Sequence, residues 1–385
     1  MAGIAYGGTG GDAAVSIVVP VYNDERYVRR ALRSCLSQTL KDIEVVCVDD
    51  GSVDESLGIL NEVALSDSRV RVVALGKNGG SHAARLAGVR EARGKLVMFL
   101  DADDELARNA CERVVKEYDR EPANVLHFAT KVKGGAGVAD DVVRDMAAWT
   151  APVAGKLEGR DVLVRTFVDH DYAFNVCGKA FPLEIARKAF ELIGPVESDS
   201  GEDALEYFAL AYVGGSYRGI PRDHLYVYHL ADGLSAQTEM TAEQFERTLR
   251  VANPVEHIRA FLEREGALEE YRDIYEAHRL DQLRVTLKTW NENVRASERA
   301  ACLARVLQVW PLDDVVNGVC DLGTDAYREL APLVGDYELS DEQIWKCGFA
   351  DGARAARAEM EASGTYKLGR LAGALPRKFL AMRGW

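Results

Sequence analysis

The chain has 385 residues, a length that predicts two or three domains rather than a single core. An apolar fraction of 48% and a charged fraction of 28% are typical of a folded globular protein and exclude a disordered one. The 61 acidic residues outnumber the 47 lysines and arginines, giving a net charge of −14. This charge argues against nucleic acid as a partner, because binding a phosphate backbone requires a basic face.

The cysteines and the N-terminus predict the cellular compartment. Seven cysteines form no CxxC pair and lie near no histidine at metal-ligand spacing, which is typical of reduced thiols in the cytoplasm. The N-terminus lacks the basic and apolar segments of a secretory signal. No run of about 18 apolar residues exists that could cross a bilayer. We therefore expect a cytoplasmic protein without a membrane-spanning helix.

The first residues are rich in glycine, at positions 7, 8, 10 and 11. A dinucleotide-binding glycine loop must follow a strand and open a helix, whereas these glycines precede the first strand. We therefore predict a flexible leader over residues 1–14.

From residue 15 onward strands and helices alternate. The predicted strands are Val15–Val19 (ended by Pro20), Ile43–Val48, Val70–Leu75 and Lys95–Leu100. The helices between them are predicted at Val28–Gln38, Asp54–Leu65 and Ser81–Ala92. Continuous apolar strands separated by helices predict a parallel sheet covered on both faces. Ligands of such sheets bind beyond the carboxyl ends of the strands.

The rest of the chain is less regular. Residues 131–160 are glycine-rich and weakly patterned, which predicts a loop, and helix and strand patterns return over 161–230. We place the first domain at 15–235, dividing near residue 130. A helical extension is predicted over 236–365, followed by a basic tail over 366–385.

Acidic residues gather where the predicted strands end. Asp49 and Asp50 close the second strand, and Asp101 and Asp103 close the fourth. In a parallel sheet both pairs lie at one edge, where they repel one another unless a cation or hydrogen bonds stabilise them. A divalent ion that also binds substrate phosphates is one solution. The alternative is that these acids only cap the helices that follow.

Four motifs carry a resemblance to a known family: Val18–Asn23, Asp49–Asp54, Ala83–Arg85 and Phe99–Asp104. In this order and spacing they resemble the nucleotide-binding half of family-2 glycosyltransferases with a GT-A fold. The resemblance implies an α/β, GT-A-type domain with a mainly parallel twisted sheet, followed by a helical C-terminal region. Residues 15–130 would be the nucleotide-binding half and 131–235 the acceptor and catalytic half. The second half matches more thinly, through Asn175–Lys179, Gly201–Asp203 and Tyr226–His229.

The resemblance implies roles for single residues. The nucleotide-sugar-binding residues would be Pro20, Val21, Tyr22, Asn23, Asp49, Asp50, Arg85, Asp101 and Ala102. One acid of the Asp49–Asp50 pair would hydrogen-bond the base, commonly uracil. Asp103, with Asp101, would bind Mg²⁺ or Mn²⁺. Arg85 either faces the nucleotide or is an ordinary surface arginine on an amphipathic helix.

Three further residues are matched with an open alternative. His229 follows a strand and is a candidate metal ligand, although a lone histidine among tyrosines is also typical of packing. Lys179 stands at a position common in the family, yet a surface lysine explains it equally. His82 lies beside the proposed donor pocket, and the pattern assigns it no task.

Asp203 is the predicted catalytic base. An inverting transfer needs a carboxylate that takes the proton of the acceptor hydroxyl as its oxygen attacks the sugar. The candidate acids of this segment are Glu197, Asp199, Glu202, Asp203 and Glu206. Asp203 matches the second acid of the family's Glu-Asp motif and is preferred to Glu202, whereas the other four are typical of a solvated loop and helix start. It also opens an apolar helix, whose positive end is expected to keep it ionised.

We therefore predict an inverting glycosyltransferase that moves a sugar from a nucleotide-diphosphate donor, a UDP-sugar, to a saccharide or lipid-linked cell-envelope acceptor. The alternative is a non-catalytic module that binds nucleotide sugar or serves in assembly. A P-loop NTPase is excluded by the absence of GxxxxGK[ST]. A nucleotidyltransferase is disfavoured because no glycine-rich basic loop follows the first strand.

The tail from Tyr366 to Trp385 has apolar residues at three- and four-residue spacing with basic residues between them, and it has no acid. A basic amphipathic helix predicts peripheral binding to an anionic membrane at its inner face. Pro376 would interrupt that helix. The alternative is a terminal helix that docks on its own protein or on a second copy, in a homo-oligomer.

Overall fold

A computed structural model gives the fold of residues 13–196, 200–230, 239–335 and 337–348. The predicted leader falls outside these residues except for positions 13 and 14, and the predicted basic tail lies outside them entirely. The described strands are β1 (Val15–Val21), β2 (Ile43–Asp49), β3 (Val70–Ala74), β4 (Leu96–Phe99), β5 (Glu105–Leu106), β6 (Val125–Gly134), β7 (Gly155–Glu158), β8 (Lys179–Pro182) and β9 (Ser216–Leu230).

The helices are given in chain order in two groups. The first eight are α1 (Val28–Leu36), α2 (Ser56–Ser66), α3 (Ser81–Glu91), α4 (Ala110–Arg120), α5 (Asp140–Trp149), α6 (Asp161–Phe167), α7 (Leu183–Ile193) and α8 (Glu202–Gly214). The others are α9 (Ala242–Leu249), α10 (Ala252–Arg264), α11 (Leu268–Asn293), α12 (Arg299–Val309), α13 (Leu312–Leu322) and α14 (Thr324–Val334), with a 3-10 turn at Ala296–Glu298. Residues 341–348 are also helical.

The first four strands confirm the predicted parallel arrangement. They lie in the order β3-β2-β1-β4, and every neighbouring pair among them is parallel. β1 does not end at Pro20 as predicted but continues to Val21. Its pairing with β4 stops at Val18, so the missing N–H of Pro20 breaks no hydrogen bond of that ladder.

The other half of the sheet is mixed rather than mainly parallel. β8 is antiparallel to both β4 and β6, β6 is parallel to β9, and β5 and β7 are antiparallel to β9. The predicted loop over 131–160 is wrong, because it contains the end of β6, helix α5 and strand β7. No residue of α5 is fully buried, and three of the four residues of β7 are exposed, so neither element shows a clear apolar period.

Helices α7, α8 and α10 form a layer that carries Asp203, the predicted base. The Phe208 ring of α8 lies 5.8 Å from the Phe261 ring of α10, and both side chains are fully buried. Among the described residues, 13–230 and 250–282 form one compact unit, which we call the α/β unit. Residues 250–282 therefore belong with the α/β domain rather than with the rest of the predicted 236–365 extension.

A second compact unit comprises residues 239–249 with the described residues from 283 onward. Its core is built around Trp290, which is fully buried and donates its indole N–H to the carbonyl of Arg299 at 2.9 Å. Over the described ranges, no helix combines the length and the apolar character needed to span a bilayer.

Candidate functional site

A cleft opens where the parallel strands end. Its volume is about 320 Å³. The loops after β1, β2 and β4 and the start of α3 line it, with residues Pro20, Tyr22, Asp24, Asp50, Ser81, Ala84, Asp101, Ala102 and Asp103. The motifs that the sequence spreads over about 85 positions therefore meet at one edge of the sheet, as the parallel topology requires.

The loop after β1 places one aromatic ring at the cleft and is hydrogen-bonded to the loop after β2. Tyr22 is 44% exposed at the cleft. Asn23 has a left-handed backbone with φ of 57°. Its side-chain carbonyl accepts the N–H of Val53 at 2.9 Å, and its own N–H donates to Ser52 Oγ at 3.0 Å. Asn23 therefore joins the β1 and β2 loops and, like the buried Val21, does not line the cleft.

The two acids after β2 differ in their hydrogen bonds. Asp50 accepts the N–H groups of Gly79 and Gly80, each at 2.8 Å, and so fixes the turn before α3. Asp49 accepts the N–H of Gly51 at 3.2 Å through Oδ2. Its buried Oδ1 has no hydrogen-bond partner among the described residues. Asp50 lines the cleft, while Asp49 retains a free acceptor behind it.

Arg85 is the centre of an acidic cluster. Its side chain is only 4% exposed, so the alternative of an ordinary surface arginine is wrong. Its guanidinium contacts Asp203 Oδ1 at 2.5 Å, Glu206 Oε2 at 2.9 Å and Asp101 Oδ1 at 3.1 Å. The three carboxylates offset the free-energy cost of burying this cation. The strand-end acid Asp101 and the predicted base Asp203 thus meet at one side chain.

His82 and Glu206 lie behind Arg85, and both side chains are fully buried. His82 Nδ1 is 2.9 Å from Glu206 Oε1, and His82 Nε2 is 2.8 Å from the carbonyl oxygen of Gly194. The ring stacks on Phe190 at 5.5 Å. His82 therefore joins α3 to α8 and to the turn after α7.

Asp203 is in the first turn of α8, with a third of its side-chain surface exposed. Burial raises its pKa to about 7, and the Arg85 charge opposes this increase without cancelling it. The expectation that the helix end keeps Asp203 fully ionised is therefore outweighed by desolvation and by the neighbouring acids. A carboxylate with a pKa near neutrality is suited to accept a proton.

Asp103 and Asp24 face the same cleft as Asp101. Within the described ranges the Asp103 carboxylate has no ion pair, and burial together with the charge of Asp101 raises its pKa. Burial also raises the pKa of Asp24 to about 6, with Asp103 adding to the effect. Asp24 also accepts the backbone N–H of Tyr22 at 3.3 Å. Carboxylate oxygens without an ion pair, such as those of Asp103, fit Mg²⁺ or Mn²⁺.

The protein oxygens would supply only part of the coordination of such an ion. No group of three or more His, Cys, Asp or Glu side chains in the described part of the chain is arranged to hold a metal. Asp101 and Asp103 could therefore hold a metal only together with further ligands from phosphate and water. The ring of His229 is 2.8 Å from Glu105 Oε1 and does not line the cleft, so its role as a ligand stays a prediction.

Lys179 is fully buried, which rules out the surface-lysine alternative. Its Nζ donates to the carbonyls of Ala173 at 2.9 Å and Asn175 at 2.5 Å, and it lies 4.9 Å from the centre of the Tyr207 ring. It thus holds the segment that brings Cys177 Sγ to 3.4 Å from Asp101. Burial lowers the pKa of Lys179 to about 7.

Sequence reasoning missed Asp24, interpreted Glu206 as part of a solvated helix start, and assigned His82 no task. A signal was available for the buried network, because His82 and Arg85 are three residues apart on α3, as are Asp203 and Glu206 on α8. Residues at this spacing share a helix face. The sequence does not show that the two faces meet. Of the acids near Asp203 that were weighed, Glu197 and Asp199 lie outside the described residues.

Comparison with known proteins gives a consistent assignment. The model of the family described as glycosyl transferase family 2 matches residues 16–174. EpsH of Bacillus subtilis (strain 168), named as a glycosyltransferase, is 30% identical over 264 residues, which are 67% of this chain and 72% of EpsH. An uncharacterised glycosyltransferase of Haemophilus influenzae is 40% identical over 99 residues, 26% of this chain and 40% of that protein. The chain thus spans less than half the length of the Haemophilus relative.

Solved structures support the fold. Residues 1–349 of S. aureus TarS match with a TM-score of 0.56 and 18% identity, covering 89% of this chain and 91% of that one. The complex of this TarS fragment with UDP-GlcNAc matches with a TM-score of 0.54 and 19% identity, covering 89% and 92% of the two chains. At such low identity the likeness concerns the fold alone.

Proposed function

Because this chain belongs to glycosyltransferase family 2, we propose that it transfers a sugar, with inversion, from a nucleotide-diphosphate donor to a hydroxyl group of an acceptor. The observation that carries the proposal is the convergence of Asp101 and Asp203 on the buried Arg85 beside an open cleft. A donor in the cleft would have its leaving group near Asp101. Only the Arg85 side chain would then lie between the proposed base Asp203 and that leaving group.

We propose UDP as the nucleotide of the donor. The TarS structure that shares this fold was solved with UDP-GlcNAc, which makes UDP the first nucleotide to test. Tyr22 and Pro20 offer the cleft an exposed ring and a rigid wall for base and ribose. The Asp49–Asp50 pair offers acceptor oxygens for an N–H group of the base, with Asp50 at the cleft and Asp49 Oδ1 free.

A divalent cation is part of the proposal. Asp103 and Asp101 would hold Mg²⁺ or Mn²⁺, and the ion would neutralise charge on the departing diphosphate. The protein's own contribution is to keep these two carboxylates at the cleft. Arg85 and the Cys177 thiol each hydrogen-bond one oxygen of Asp101, which restrains its orientation.

Asp203 is proposed to take the proton of the acceptor hydroxyl while that oxygen attacks the anomeric carbon opposite the leaving group. The bond between the anomeric carbon and the oxygen of the nucleotide diphosphate breaks as the new glycosidic bond forms. The configuration at the anomeric carbon is thereby inverted. The guanidinium of Arg85 holds Oδ1 of Asp203. Its other carboxylate oxygen is then the one placed to accept the proton.

The acceptor is proposed to be a saccharide or a lipid-linked cell-envelope precursor, met at the cytoplasmic face of a membrane. The support for this part is the basic amphipathic pattern of residues 366–385.

The experiment that tests the proposal compares wild type with Asp203→Asn. Thermal unfolding is measured with UDP, GDP, TDP and CMP, each with and without Mn²⁺, and UDP release is measured from UDP-GlcNAc and other UDP-sugars. We expect both proteins to be stabilised by UDP with Mn²⁺, by about 2.7 kcal/mol at 100 times the dissociation constant. Turnover should fall at least about 100-fold in the variant, because a general base contributes that much.

The outcomes separate the competing functions. Nucleotide binding without turnover by the wild type on any donor would favour a non-catalytic binding module. No stabilisation of the wild type by any nucleotide with metal would contradict the donor site itself. Asp203→Glu is the control for retention of the charge, and we expect it to keep measurable turnover.

A further inference from the structure

The buried contacts behind Arg85 form a chain of charges that the proposed mechanism does not use. Glu206 bridges two bases, with Oε1 at 2.9 Å from His82 Nδ1 and Oε2 at 2.9 Å from Arg85 Nη1. Arg85 in turn contacts Asp203 and Asp101. The side chains of His82 and Glu206 have no exposed surface, so water cannot stabilise either charge.

The geometry defines the charge of His82. Its two ring nitrogens face a carboxylate oxygen and the carbonyl oxygen of Gly194, at 2.9 and 2.8 Å. The carbonyl cannot donate, and neither can Glu206 while it is ionised beside the Arg85 guanidinium, so both hydrogen bonds then require a proton on each ring nitrogen. Burial lowers the pKa of His82, but the hydrogen bond and charge of Glu206 outweigh burial and raise it above its ordinary value.

The cluster then holds two cations, His82 and Arg85, against the three carboxylates of Asp101, Asp203 and Glu206. Without a positive His82, Arg85 alone would oppose three buried or half-buried negative charges. Glu206 is fully buried and contacts the same Nη1 of the guanidinium as Asp203, so it would compete with Asp203 for it. The positive His82 removes this competition.

We propose that His82 and Glu206 are positioning residues for the transfer reaction: the imidazolium of His82 neutralises Glu206, and this leaves the Arg85 guanidinium to hold and orient Asp203. This inference depends on the proposed function, because it takes Asp203 as the base. His82 and Glu206 contact neither the cleft nor the reacting atoms, and they act through Arg85.

The other charged groups that face Asp203 are the same in every variant compared below. They are Arg85 on α3, Asp101 after β4, Glu202 on α8, and Lys179 with the Cys177 thiol at the start of β8. A difference between the variants is therefore caused by the His82–Glu206 pair.

The test uses the full chain with His82→Gln, Glu206→Gln and the double variant. The titration of Asp203 is followed by carboxyl ¹³C NMR of aspartate-labelled protein, with Asp203→Asn to identify the signal. Loss of the His82 cation, with Glu206 retained, should raise the pKa of Asp203 by about one unit. In Glu206→Gln the buried His82 loses the carboxylate that keeps it protonated, so both charges disappear together. The pKa of Asp203 should then lie close to that of wild type in Glu206→Gln and in the double variant.

The rate of UDP release from UDP-GlcNAc with Mn²⁺ is measured on the same proteins against pH. The acidic limb of the rate should move to higher pH in His82→Gln and stay near that of wild type in Glu206→Gln and in the double variant. A shift of the same size in all three variants, or a loss of rate in His82→Gln without a shift, would overturn the proposal and leave His82 and Glu206 a packing role.

A measurement on the wild type covers the case of variants that do not fold. The chain has seven histidines, and ¹⁵N NMR at pH 7 should show one buried imidazolium with two ring protons. A neutral His82 at this pH would overturn the inference. If the wild type releases no UDP from any donor, the proposed function fails, whereas the ¹³C and ¹⁵N titrations still decide on the buried pair.

Discussion

At the residue scale, the protonation of Asp203 controls the proposed chemistry. Desolvation raises its pKa to about 7, although Arg85 is bound to it. A base must be ionised to accept a proton, so the active fraction of the protein falls as the pH drops through this value. The acids around Asp203 thus increase its basicity, and Arg85 prevents them from keeping it protonated.

We therefore predict that kcat/KM falls about tenfold per pH unit below about pH 7, because kcat/KM reports the free enzyme's essential base. The measurement is the initial rate of UDP release at subsaturating donor between pH 5 and 9. Thermal unfolding at each pH controls for loss of fold. An acidic limb near pH 4, the range of an exposed aspartate, would contradict the burial of Asp203.

Lys179 is a second residue whose protonation is coupled to folding. Its pKa is lowered to about 7 by burial. Between this value and its ordinary pKa of about 10.4, the unfolded chain binds the proton more tightly than the folded one. The contribution of Lys179 to the free energy of unfolding therefore increases with pH across this range.

We predict that the free energy of unfolding of wild type, relative to Lys179→Met, rises between pH 7 and 9 by up to about 1.4 kcal/mol per pH unit. Chemical denaturation at pH 7, 8 and 9 measures it. Lys116→Met, at an exposed position of α4, is the control for the loss of a lysine. A difference that stays constant between pH 7 and 9 would show that Lys179 is buried as a stable cation, because both states then bind the same number of protons.

At the scale of elements, α3 connects the proposed donor-binding and catalytic parts of the site. It starts at the turn fixed by Asp50, carries Arg85 in its middle, and lies against β1 through Gly88. The close approach at Gly88 determines how near the helix lies to the sheet. A Cβ at this position would overlap Cγ1 of Val18.

Gly88→Ala is expected to destabilise the protein by about 1–3 kcal/mol, despite the higher helix propensity of alanine, because the overlap forces α3 from the sheet. Gly58→Ala on α2 is the matched control. An added Cβ there meets only the flexible Glu55 side chain at 3.3 Å, so it should gain up to about 1 kcal/mol. Thermal unfolding of both variants measures the effect, and a neutral Gly88→Ala would show that α3 can shift freely.

At the scale of the whole molecule, the chain crosses between its two compact units more than once. Helix α10 belongs to the α/β unit although it follows residues of the other unit. It covers α8, which carries Asp203, through buried side chains that include Phe261, Ile258 and Leu262. Fully burying one such side chain contributes about 1.5–3 kcal/mol.

We predict that a chain ending at Gln282 keeps stabilisation by UDP with Mn²⁺, whereas a chain ending at Leu249 loses it together with its cooperative thermal transition. The physical reason is that removing α10 exposes Phe208 and the apolar face of α8. Circular dichroism and thermal shift of both chains measure this. Equal behaviour of the two truncations would show that α10 is not needed for the donor site.

The amino-acid sequence by itself determined the first four strands, their helices and their parallel order. Apolar runs and turn residues are local signals, and a βαβ series permits few topologies. The same signals predicted the pairs Asp49–Asp50 and Asp101–Asp103 at one edge, because the carboxyl ends of parallel strands meet there. Of these four acids, Asp50, Asp101 and Asp103 line the cleft. The motifs also identified the family, since their order and spacing are preserved along the chain.

The tertiary structure alone decided the mixed half of the sheet, the place of α10, and the surroundings of the predicted base. β8 lies between β4 and β6, and this order depends on contacts distant in the sequence. Arg85, His82 and Glu206 each look like ordinary helix residues, and their charges acquire meaning only when α3 and α8 pack face to face. Burial is a property of the assembled fold, so the pKa values of Asp203 and Lys179 cannot be predicted from residue type.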